Sequence, residues 1–136
     1  MNSRERVLAS IDHKTPDKVP IDLGSNPSSG ISAIAYNNLK HLLGYEHSTK
    51  VYDIVQQLAE PDESIIEHLN LDVLDIGRAF NTNPSKWYEI KLMDESSALY
   101  PSWFKPIKMD DGSWNAFDDD GDLLARMPNM ASFYDQ

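Results

Sequence analysis

The chain has 136 residues, a formal charge of −10, 40% hydrophobic and 25% charged residues, and no cysteine. That length suits one domain with a modest core, and the charge repels a nucleic-acid backbone or an anionic membrane. The absence of cysteine excludes disulfides, thiol nucleophiles and thiolate metal sites within the chain.

The N-terminus mixes Arg4, Glu5 and Arg6 where a signal peptide has an apolar core, and no apolar run has the length of a membrane span. A soluble cytoplasmic protein is the expectation. Asn2 or Ser3 caps a first helix that runs to about His13, with Val7, Leu8 and Ile11 as its apolar stripe. Val19, Ile21 and Leu23 then alternate with Pro20 and Asp22, which predicts a short strand. Residues 24–30 are a small-residue loop, followed by a helix over about 30–43 with Gly44 at its left-handed end.

A third helical pattern covers residues 51–59, with Val51, Ile54, Val55 and Leu58 on one face. Glu60-Pro61 interrupts it, and a further helix carries Ile65, Ile66 and Leu69 to about Asn70. Residues 71–76 read as a second strand, with Gly77 and Arg78 at its end. Helix, strand, helices, strand suits a parallel pair joined by a helical crossover. After a loop at 81–85, Asp111-Gly112 and Asp120-Gly121 divide residues 104–109, 113–117 and 122–127 into a three-stranded meander. Residues 87–93 offer one more strand, and the tail from Pro128 has no clear pattern. The expected organisation is α/β: first βα units over 1–80, then a meander insertion and tail over 81–136, in one incomplete domain.

Chemistry in a strand–loop–helix unit gathers at the loop after the strand. The candidate site residues are therefore Asp22, Gly24, Ser25, Ser29 and Gly30. Asp22 suits either substrate orientation and acid–base work or simple acceptance of loop amides. Amides of the loop suit an anion, although no nucleotide motif is present. Arg78, flanking the strand end with Asp75, suits either an ion pair or loop contact or binding of a carboxylate or phosphonate-like group. The run Asp118 to Asp122 fails as a calcium loop. Placing Gly121 sixth puts Ala116 first and Met127 twelfth, where oxygen donors belong. It reads as a charged hairpin tip. His13, His41, His47 and His68 show no paired metal spacing and read as surface or capping residues.

Two stretches together resemble the opening of a known family, Ser3-Arg4-Glu5-Arg6-Val7-Leu8-Ala9 and Pro16-Asp17-Lys18-Val19-Pro20-Ile21-Asp22, with Leu71-Asp72-Val73 as a supporting piece. With Ser29-Gly30-Ile31, residues 52–59 and the hairpins at 111–114 and 120–122, they are similar to the uroporphyrinogen decarboxylase superfamily. The likeness is closest to its corrinoid-linked methyltransferase branch. The resemblance implies a (β/α)8 TIM barrel with its site at the mouth of the strands. Such a barrel needs about 250 residues, so the chain is expected to be an N-terminal portion, inactive alone, with open strand edges able to self-associate. The family implies zinc bound by ligands on later strands, with a corrinoid (cobalamin) protein or a small molecule as partner. This chain itself is expected to hold no cofactor. The family's decarboxylases carry an R-Q-A-G-R-Y segment after the first strand, where this chain has Gly24-Ser25-Asn26-Pro27. Methyl transfer is thus the first reading. Tetrapyrrole (porphyrin) decarboxylation and a non-catalytic interaction module are the alternatives.

Overall fold

A computed structural model describes residues 1–77 and 82–135. Helix α1 (Ser3–Ile11) is opened by a capping box. The Asn2 side chain accepts the Glu5 N–H at 2.9 Å, and the Glu5 carboxylate accepts the Asn2 N–H at 3.0 Å. Helix α2 (Ala33–Leu43) starts a little later than its apolar pattern, because a 3₁₀ turn over Pro27–Ser29 and an extended Ser32 occupy the lead-in. It ends at Gly44, whose φ of 80° is the left-handed cap expected there. Helix α3 (Glu63–Leu69) is capped by Asp62 and closed by a left-handed Asn70.

The helix expected over 51–59 is a hairpin: β1 (Val51–Asp53) pairs antiparallel with β2 (Leu58–Ala59). Two local causes defeat the helical spacing. The Asp53 carboxylate accepts the Gln56 N–H at 2.9 Å, offering the backbone a turn in place of a helix. Thr49 O also accepts the Leu99 N–H at 2.7 Å, tying the segment to a neighbouring strand.

The two expected parallel strands are extended but form no ladder. Segments 19–23 and 71–76 share one backbone hydrogen bond, from Asp72 N–H to Ile21 O at 2.8 Å. Pro20 has no N–H to offer, and the Ile21 N–H goes to the Asp72 side chain at 3.0 Å rather than to a carbonyl. Leu71 is buried and Leu23 packs against the core, while Val19 at 78% and Ile76 at 91% stay open to solvent.

The second half follows its turn signals. Strand β3 (Trp87–Lys91) pairs with β4 (Ser97–Pro101), a strand the sequence pattern did not mark, from Trp87 opposite Pro101 to Lys91 opposite Ser97. Strands β5 (Ile107–Lys108), β6 (Trp114–Phe117) and β7 (Leu123–Met127) form the expected meander in that order. The tail is not patternless. Asp135 bridges to Arg126 on β7, and Tyr134 is buried. Among the described residues every strand ladder is antiparallel, in three small sheets with helices beside them; a single parallel bridge joins Lys50 to Leu99 of β4, and no closed barrel is present.

One hydrophobic core draws on both halves. Ala33 and Tyr36 of α2, Val51 and Ala59 of the first hairpin, and Ile65 of α3 pack with Leu92, Ala98, Tyr100, Met127 and Tyr134. Each of the larger buried aliphatic side chains, such as Val51, Ile65, Leu92 and Met127, contributes about 1.5–3 kcal/mol, so the late strands help hold the early helices.

Candidate functional site

Segment 19–23 is held from both sides by charge. Arg6, on the buried face of α1, donates from Nε and NH2 to the Asp17 carboxylate at 2.7 and 3.0 Å. Its NH1 donates to Asp72, and its NH2 also reaches Met1 O at 2.9 Å. The terminal amine adds a further bond to Asp17 at 3.2 Å. The Arg6 bonds hold the Asp17 carboxyl well below its usual range, against desolvation that pushes it up. Asp72 is held down first by the Ile21 N–H and also by Arg6.

Ile21 is fixed beside Asp72, and residues that follow each of them contribute to a common lining. Leu23, Gly24 and Ser25 after the first segment, and Val73, Leu74 and Asp75 after the second, line one hollow, closed beneath by Glu60, Pro61 and Ile66. Gly24 has a φ of 79°, and a Cβ there would lie 2.9 Å from the Pro61 ring. Glycine is required twice over, for its conformation and for its lack of bulk. At Gly30 the constraint is space alone: a Cβ would stand 2.6 Å from a Leu58 methyl, which can shift, and 3.0 Å from Pro27 O.

Asp22 sits at the edge of this loop, half-buried. Its carboxylate accepts the Ser25 N–H at 3.1 Å, the Ser25 hydroxyl at 2.6 Å and the Asn26 amide at 3.4 Å. Of the two roles open to Asp22, the geometry supplies the acceptor of loop donors. Ser29 turns its hydroxyl back to Asn26 O at 3.2 Å, and its carbonyl accepts the Gly24 N–H at 2.9 Å. Thus Asp22, Gly24, Ser25, Ser29 and Gly30 are brought together as one cross-bonded loop, with Gly24 and Ser25 facing the hollow. Arg78 lies outside the described residues. The floor residues Glu60 and Pro61 were not singled out in the sequence. They are marked there only as the break between two helical patterns.

Two other interior features are structural. A narrow apolar cavity between α2 and the strands is lined by Ala33, Ile34, Leu92, Trp114 and Met127, with Gln57 at its base. The Tyr100 hydroxyl donates to Gln57 Oε1, and Gln57 Nε2 donates to Ile54 O, so these polar groups satisfy one another. Burial pushes the Tyr100 hydroxyl up to about 12. Beside α2, the Tyr36 hydroxyl donates to Asp62 at 2.9 Å and accepts the Asp62 N–H at 2.9 Å. Buried Lys40 donates to His47 O and lies 5.0 Å above the Tyr36 ring. Desolvation lowers its ammonium, countered by the charge of Asp62.

Among the described residues no three His, Cys, Asp or Glu side chains converge on a metal position, and no helix is long and apolar enough to cross a membrane. Comparison with protein-family models, curated proteins and solved structures found no match.

Proposed function

We propose that the chain forms the first βα units of a (β/α)8 barrel enzyme of the uroporphyrinogen decarboxylase superfamily. The whole enzyme transfers a methyl group to or from a corrinoid in the cytoplasm. The observation that carries this reading is the shared hollow at the ends of the two extended segments, joined at Ile21 and Asp72. A barrel site sits where neighbouring parallel strands end and their loops meet. The exposed Val19 and Ile76 fit the same reading, since further strands would cover them.

Charge favours methyl transfer over tetrapyrrole decarboxylation. Among the described residues lining the hollow, the charged ones are Glu60 and Asp75, both acidic. A substrate rich in carboxylates meets repulsion there. In this role Asp22 shapes the loop of Gly24, Ser25, Ser29 and Gly30 at the mouth, and Arg78 is the residue assigned to a substrate anion. Zinc, bound by ligands outside this chain, supplies activation of a thiol or hydroxyl methyl acceptor.

The test is the whole protein, assayed optically for demethylation of methylcobalamin with zinc measured in the same sample, and in parallel for carboxyl loss from a porphyrinogen. Corrinoid turnover with stoichiometric zinc is expected. Carboxyl loss without a corrinoid response overturns methyl transfer in favour of the decarboxylase. Response to neither leaves a non-catalytic interaction module.

A further inference from the structure

The β5–β7 meander has a second face that the core does not use. Ala116 and Met127 are buried on one side of β6 and β7, and Trp114 pairs opposite Met127 on that same side. On the other side Phe117 pairs with Leu123. The register passes from Ala116–Ala125 to Phe117–Leu123, which leaves Leu124 as an extra, bulged residue. Leu123 and Leu124 are 54% and 56% exposed, and Phe117 and Ile107 are exposed with them. Two consecutive exposed leucines beside an exposed phenylalanine form a patch that water does not favour.

The chemistry around this patch is one-sided. The hairpin continues directly from it into Asp118, Asp119, Asp120 and Asp122, all exposed. The cation on the same face, Arg126, is already paired with Asp111 at 2.9 Å. A second copy of a chain carrying −10 charges is repelled from such a surface, as is an anionic membrane. We propose that this face docks a basic amphipathic helix of a partner protein. Its apolar stripe rests on Phe117, Leu123 and Leu124, and its lysines or arginines face Asp119, Asp120 and Asp122. Helices are the usual cover for an open sheet face, and an amphipathic helix presents an apolar stripe and flanking charge on one element. The inference is independent of the barrel reading.

The test uses two synthetic helical peptides of equal positive charge, one with a leucine stripe and one with those leucines replaced by serine, titrated into the chain by calorimetry. Tighter binding of the leucine peptide, by about tenfold, is expected. L123S/L124S should remove that preference, because both side chains are more than half exposed on this face. D119N/D120N should weaken binding of both peptides and flatten its salt dependence; it leaves the Asp118 carboxylate that organises the turn. Equal binding of the two peptides, or a preference that survives L123S/L124S, overturns the proposal. So does self-association of the chain that L123S/L124S abolishes, which would make a second copy the occupant.

Discussion

Ile21 and Asp72 exchange two hydrogen bonds across 51 residues of sequence: the Asp72 N–H donates to Ile21 O at 2.8 Å, and the Asp72 side chain accepts the Ile21 N–H at 3.0 Å. The other carboxylate oxygen takes Arg6. One side chain therefore joins α1, the first extended segment and the second. D72A should lower the urea midpoint of unfolding and loosen all three, whereas D72N keeps an acceptor for Ile21 and loses less. Hydrogen exchange at the Ile21 amide separates the two outcomes. Equal protection in wild type and D72A would show that the side chain does not hold the segment.

The same cluster sets an acid limit on stability. Asp17 and Asp72 are held below the ordinary carboxylate value of 3.8, and so is Asp62, where bonds from Ser64, Tyr36 and the Ile65 N–H outweigh desolvation. A carboxylate with a lowered folded pKa stabilises the fold above its unfolded value, and the contribution fades as pH falls toward the folded one. The urea midpoint should hold steady from about pH 6 to about pH 4 and fall steeply below. R6M should start lower and show a shallower decline.

Tyrosines impose the opposite dependence at high pH. Burial raises the Tyr36, Tyr100 and Tyr134 hydroxyls above their ordinary value of 10.0, Tyr100 to about 12. Groups raised in the fold contribute stability below the unfolded value and lose it as pH rises through the folded one. Phenolate absorbance of the native protein should lag behind that of the unfolded chain and then appear together with alkaline unfolding. A titration superimposable on the unfolded chain would contradict their burial.

Local signals were legible where one residue decides the geometry. Asn2, Gly44, Asn70, Gly112 and Gly121 mark the ends of helices and the turns of hairpins, and those ends stand where the sequence puts them. Periodicity misled where the partner lay far away. Val51, Ile54 and Leu58 are all buried, as a helical stripe would be, yet the burial comes from a hairpin whose neighbour Leu99 is far along the chain. Strand β4 and Tyr134 were missed for the same reason, since Ser97–Pro101 is recognisable only through β3. At the site, the loop of Asp22 to Gly30 was visible as punctuation between patterns. Its floor of Glu60 and Pro61 was not, because only the packed Gly24 reveals it.

Two glycines separate conformation from space. Gly44 has a φ of 80° and open space around its missing Cβ, so G44A should cost about 1 kcal/mol through backbone strain alone. Gly24 has a similar φ, and in addition its Cβ would meet Pro61 at 2.9 Å. G24A should therefore cost more, about 1–3 kcal/mol beyond the strain. It should also displace the loop from the hollow, while G44A leaves the hollow intact. Denaturant midpoints give the energies, and the amide shifts of Ser25 and Asp75 report the hollow. Equal costs for the two variants would mean that Pro61 yields and the floor is soft.

Tyr100 and Gln57 test whether the interior cavity is packing or site. Gln57 is buried with a φ of 57°, and its two amide ends are used by Tyr100 and Ile54 O. Y100F removes the donor and leaves Gln57 Oε1 unsatisfied, a loss of about 1–3 kcal/mol. Replacing both with apolar groups, Y100F/Q57L, should not recover all of it, since Ile54 O then loses its donor as well. The double variant should therefore fall short of wild type by about the value of one buried hydrogen bond, about 1 kcal/mol. Full recovery would show that water reaches Ile54 O. The cavity would then be wetter than its apolar lining implies, and its role as closed packing between α2 and the strands would have to be given up.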